Sequence, residues 1–124
     1  MIDQDATYEN WKIRFPLCFE RTGSCMGFGL QHGGGWNGII EGLLTKIEAR
    51  LQENPDLHGS DYGFQIDQIK EKFGTLRFYV SGADDTIFDW ITAAEIETRT
   101  TCEACGQPGS LHCRIGGYWL YTRC

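Results

Sequence analysis

Four of the chain's six cysteines fall in its last 23 residues. Cys102 and Cys105 form a Cys-x-x-Cys, and Cys113 and Cys124 follow. A Cys-x-x-Cys folds into a tight knuckle whose backbone amides surround two thiolates. Gly106, directly after it, suits the sharp turn, because glycine tolerates positive φ. Zn²⁺ prefers four soft ligands in a closed tetrahedron, so the knuckle needs a second pair. The spacing therefore points to a structural Zn²⁺ held by Cys102, Cys105, Cys113 and Cys124, with His112 as the substitute for Cys113. Such a closed site would clamp the C-terminus to the body and contribute folding free energy on the order of 10 kcal/mol. Disulfides, a redox pair and metal-free thiols are the alternatives. A thioredoxin-type redox pair opens a helix after a strand, and Gly106-Gln107-Pro108-Gly109 is a poor helix start.

Other reactive side chains are scattered. Cys18, Cys25 and His32 could form a second metal site, and buried thiols are the plainer reading. His32-Gly33-Gly34-Gly35 precedes a helix, where backbone amides can hold an anion. There is no Gly-Lys-Ser/Thr beside it, so a Walker-type site is excluded. No Ser-His-Asp order, nucleophile elbow or His-Glu-x-x-His is present. From Asp84 to Glu103 six acidic residues stand against Arg99 alone. Asp84, Asp85 and Asp89 could cap a helix and line a solvated face, or meet a basic partner. Trp90, Tyr118, Trp119 and Tyr121 could add an aromatic contact patch.

The elements that position these residues can be read from periodicity. Residues 1–7 read as frayed. Tyr8, Trp11, Lys12 and Phe15 fall at helical spacing, and Pro16 ends that helix. Residues 17–35 carry six glycines and read as a long mobile or functional loop. From Asn37, a candidate N-cap, to Glu53, apolar residues from Ile39 to Leu51 repeat at the 3.6 period, with Lys46, Glu48, Arg50 and Gln52 toward water. Residues 64–80 alternate as a β-hairpin with Gly74 at the turn. Asp85 to Thr98 follows as a helix whose stripe is Ile87, Phe88, Ile91 and Ala94, with Trp90 as a further candidate. Ser110–Arg114 and Tyr118–Arg123 could pair across Gly116-Gly117. The order predicts an α+β fold: amphipathic helices packed on a β-hairpin, with a small C-terminal zinc-ribbon-like knuckle. The core domain would span 1–100 and the ribbon 101–124.

With 124 residues, 41% of them hydrophobic, the chain can bury one core. Its net charge of −6 argues against a general nucleic-acid binder. No stretch approaches the roughly 20 apolar residues of a membrane span. The polar N-terminus does not read as a secretory signal, so a reducing compartment is expected.

The run Gln68-Ile69-Lys70-Glu71-Lys72-Phe73-Gly74-Thr75-Leu76-Arg77-Phe78-Tyr79-Val80, taken with Thr101-Cys102-Glu103-Ala104-Cys105-Gly106-Gln107-Pro108-Gly109, resembles a widespread family of small, mostly uncharacterised bacterial and bacteriophage proteins. Gly34-Gly35-Trp36 resembles that family's Gly-Trp helix start, and the likeness covers about residues 34–124. The family pattern closes on Cys-x-x-His or Cys-x-x-Cys, whose first member Cys124 matches. No established activity comes with the resemblance. It implies a location in the cytoplasm of a bacterial host. Combined with the acidic helix, it leads to the expectation of a non-enzymatic, zinc-stabilised protein that binds a protein partner with a basic surface. An anti-defence inhibitor of the anti-CRISPR type would be the special case. A nucleic-acid-binding zinc ribbon and an enzyme sited at the Gly-rich loop are the alternatives.

Overall fold

The computed structural model describes residues 2–113 and 120–123, with the backbone alone for 111–113. Three α-helices and an antiparallel hairpin make an α+β fold.

Helix α1 spans Gln4–Arg14, four residues ahead of the sequence reading. The Asp3 carboxylate accepts the amides of Asp5 and Ala6 at 3.0 and 3.1 Å, which caps a stretch expected to fray. Trp11 is its buried residue.

The Gly-rich segment is packed against the hairpin. It runs along the hairpin's edge through two parallel bridges, Thr22 to Ile66 and Gln31 to Lys70. A 3₁₀ turn at Ser24–Phe28 takes up the extra residues between them. A two-stranded sheet leaves unpaired edge amides, and this segment supplies partners for one edge.

Helix α2, Asn37–Glu53, buries Ile40, Leu43, Leu44, Ile47 and Leu51 as the 3.6 period predicts. Two of its polar residues depart from expectation. Glu48 is buried, not solvated. Asn37 does not cap; its side chain bonds Gln4 and His32 instead.

Strand β1, Gln65–Lys72, pairs antiparallel with β2, Thr75–Ser81. A bulge at Asp67 shifts the register, so Ile66 and Ile69 both face the core although three residues apart. The turn has positive φ at Phe73 (55°) and Gly74 (80°), as a type I′ turn requires. For Phe73 that conformation costs roughly 1–2 kcal/mol.

Helix α3, Asp85–Thr98, is capped by Asp84, whose Oδ1 accepts the Ile87 amide at 3.0 Å. It covers the edge of β2: the Leu76 amide donates to Thr98 Oγ1 (3.1 Å) and the Phe78 amide to Glu95 Oε2 (3.0 Å). Ile87, Ile91, Ala94 and Thr98 are buried. Phe88, expected in that stripe, stands outside it at 45% exposure. At 100° per residue it lies on the flank of the helix, toward the hairpin.

Strands β3, Ser110–Cys113, and β4, Leu120–Arg123, form a second antiparallel pair, with Ser110 opposite Arg123 and Cys113 opposite Leu120. The expected Gly116-Gly117 turn lies outside the described residues. No helix among those residues is long and apolar enough to cross a membrane.

Candidate functional site

The Cys-x-x-Cys forms a closed turn. The Gly106 amide donates to the Cys102 carbonyl at 2.9 Å, and the Cys102 amide to the Gln107 carbonyl at 2.7 Å. Gly106 takes φ of 80°, so glycine is required there. Cys102 is buried and Cys105 exposed.

The Gly-rich segment is the seat of this turn. The Gly35 amide donates to the Glu103 carbonyl at 2.6 Å, and the Gly33 amide to Glu103 Oε1 at 2.8 Å. A Cβ on Gly35 would stand 2.2 Å from the Cys102 carbonyl oxygen, so only glycine lets the two backbones meet. Trp36 Nε1 donates to the Thr101 carbonyl at 2.9 Å. From the other side, the Thr122 hydroxyl donates to the Gly74 carbonyl at the hairpin turn. Of the amides expected to offer an anion site, those of Gly33 and Gly35 are thus taken by Glu103.

The donor set is partly in view. Among the described residues no group of three or more His, Cys, Asp or Glu side chains could hold a metal. Cys124 and the side chains of Cys113 and His112 lie outside those residues. The backbone ladder sets Cys113 three residues beyond Ser110, about 10 Å along the strand from the knuckle end. Cys18 donates to the Leu44 carbonyl at 3.6 Å while Cys25 is exposed, so they build no second centre with His32.

Two polar groups lie deep in the body. Glu48 accepts the amides of Leu17 and Cys18 at 3.0 and 2.9 Å. Burial, with the Glu48 carboxylate beside it, pushes the Cys18 thiol far above the ordinary range and leaves it unreactive. The His32 ring stacks between Trp11 and Trp36, with centroids 6.3 and 6.4 Å away. Its Nε2 lies 2.9 Å from Asn37 Oδ1, and burial lowers its pKa, so the imidazole is neutral.

The acidic run divides by role. Asp84 is held by Arg50, whose Nη2 and Nε lie 2.6 and 2.9 Å from Oδ2. That guanidinium keeps the Asp84 carboxyl below its usual range. Glu95 holds the edge of β2, and Glu103 holds Gly33 and Arg123. Asp85 and Asp89 remain exposed on the outer crest of α3.

Each flank of α3 lines a groove. Toward α2, a groove of about 570 Å³ is lined by Gly38, Gly42, Ile39, Trp90, Ala93 and Glu97. A Cβ on Gly38 or Gly42 would meet nothing within 4 Å. Toward β2, one of about 410 Å³ is lined by Lys72, Phe73, Arg77, Tyr79 and Phe88, with Glu95. Trp90, expected in an aromatic patch, thus belongs to the first groove. Tyr121 sits half-buried on β4, where the Arg123 guanidinium lies 5.9 Å from its ring. Tyr118 and Trp119 lie outside the described residues. Sequence reading missed Gly38 and Gly42; their signal is two glycines, four apart, inside a helix of otherwise good formers.

Compared with protein-family models, curated proteins and solved structures, the chain matches none.

Proposed function

We propose that this is a non-enzymatic binding module whose α2–α3 groove receives a segment of a protein partner with a basic surface. The observation that carries this reading is the pair Gly38 and Gly42. Glycine inside a helix costs up to about 1 kcal/mol relative to alanine, and nothing in the fold asks for either one. Their absent side chains let another backbone approach α2 closely. Trp90 and Ile39 give the groove an apolar floor of the kind that holds interface anchors. Glu97 in its lining and Asp85 and Asp89 on the crest beside it outnumber Lys46, which also lines the groove, and attract cations. Structural Zn²⁺, in this reading, is held by Cys102, Cys105 and Cys124, with Cys113 or His112 as the fourth donor. The family resemblance makes inhibition of a host defence protein in the bacterial cytoplasm the special case.

Affinity purification with the wild-type chain and with a Gly38→Ala/Gly42→Ala double variant tests this. The double variant is expected to unfold at higher denaturant and yet to lose the partner. Asp85→Lys/Asp89→Lys should weaken the same complex and leave the fold intact. A partner held equally by all three chains would refute the groove as the site.

A further inference from the structure

We propose that the groove between β2 and α3, continued onto the outward face of the hairpin, binds single-stranded nucleic acid. This goes beyond the protein-binding reading and uses the opposite flank of α3. Ile69 and Phe78 are paired and buried, so the neighbouring pairs Lys70–Arg77 and Gln68–Tyr79 face outward. Lys72 and Arg77 also line the groove, and exposed Arg99 follows the end of α3. Among the described residues none of these four cations enters an ion pair. Two carboxylates share this region against the four cations, Glu95 in the groove lining and Glu71 on β1, and each accepts a backbone amide, Glu95 that of Phe78 and Glu71 that of Gly74. On a chain of net charge −6, this face is locally cationic.

Three rings stand beside these charges, Phe73, Tyr79 and Phe88, exposed by 56%, 42% and 45%. Phe73 is held toward solvent by a strained turn, with Lys72 Nζ 5.5 Å from its ring centroid. Cations alone would suit an acidic polypeptide equally well. Exposed rings among them favour unpaired bases, every one of which offers a face to stack on. A duplex hides those faces.

The test is fluorescence anisotropy of the full chain with labelled DNA and RNA strands of about 12 nucleotides, within the usual range of single-strand sites. Binding is expected to weaken with salt. Lys72→Ala and Arg77→Ala should each flatten the plot of log affinity against log salt by about 0.7. Tyr79→Ala and Phe88→Ala should each weaken binding about tenfold without changing that slope. Phe73→Asn should raise the melting temperature, since asparagine suits the turn, while weakening binding. No binding at low salt would overturn the proposal, and so would duplex bound as tightly as single strands. Equal binding of polyglutamate, lost through the same variants, would assign the face to acidic polypeptides and also overturn it. Circular dichroism melting of each variant separates lost binding from lost fold.

Discussion

At the scale of single residues, buried polar groups carry information that hydropathy misses. Glu48 falls beside the helical stripe, four after Leu44 and three before Leu51, and only its charge assigns it to water; its carboxylate accepts the amides of Leu17 and Cys18. Those amides follow the end of α1 and have no partner in a regular element. Glu48→Ala would leave them buried and unpaired, which costs about 1–3 kcal/mol for each group. Glu48→Gln keeps the shape and one acceptor oxygen. In urea titrations the alanine variant is therefore expected to lose about 2–5 kcal/mol and the glutamine variant less than half of that. Equal losses would mean that shape and one acceptor oxygen do not suffice and that the charged carboxylate itself is required. His32 follows the same logic without charge, since Trp11 and Trp36 stack on it, Asn37 bonds its ring and Gln4 donates to its carbonyl. Glu48 does not betray its role in sequence, because its partners lie about 30 positions away, and His32 does so only in part, because Trp36 and Asn37 are close in sequence while Gln4 and Trp11 are not.

At the scale of elements, glycine has opposite meanings at positions only three residues apart. Gly35→Ala would drive a Cβ to 2.2 Å from the Cys102 carbonyl oxygen and 2.5 Å from that of Glu103. Both obstacles are backbone and cannot swing aside, so a loss of about 1–3 kcal/mol is expected. Gly38→Ala meets nothing and should gain up to about 1 kcal/mol. Urea midpoints that move in opposite directions for the two variants would confirm the contrast. Midpoints that move together would mean that the knuckle does not rest on the Gly-rich segment. The helices at 37–53 and 85–98 and the hairpin were legible because their apolar residues repeat at 3.6 or at 2. The edge pairing of residues 21–31 was not, because it rests on backbone hydrogen bonds that any side chain permits. Phe88 was misplaced by treating apolar as buried; the chain has more aromatic surface than the core accepts.

At the scale of the whole molecule, the C-terminal ribbon is joined to two distant places. The knuckle rests on Gly33–Gly35, and β4 reaches the hairpin turn through Thr122. The sequence signalled a knuckle through Cys102, Cys105 and Gly106 but not its seat, because a backbone-to-backbone contact leaves no hydrophobic pattern. This double attachment sets the expected response to metal removal. If Zn²⁺ is held by Cys102, Cys105 and Cys124, elemental analysis should give about one zinc per chain, and X-ray absorption should count three or four sulfur ligands. Chelator, or Cys102→Ser, would remove a staple worth on the order of 10 kcal/mol in small zinc modules. The core cluster that includes Trp11, Leu44, Ile69 and Ile87 contains no residue of the ribbon, so it should persist. Hydrogen exchange should therefore speed up first at residues 101–110 and 120–123, then at Gly33–Gly35 and the Phe73-Gly74 turn. The amides of α2 should keep their protection. Cys18→Ser should leave the metal in place, since Cys18 bonds the Leu44 carbonyl inside the core. A chain that carries no zinc, or whose exchange pattern ignores chelator, would show that the ribbon is held by the contacts to Glu103 and Thr122 alone.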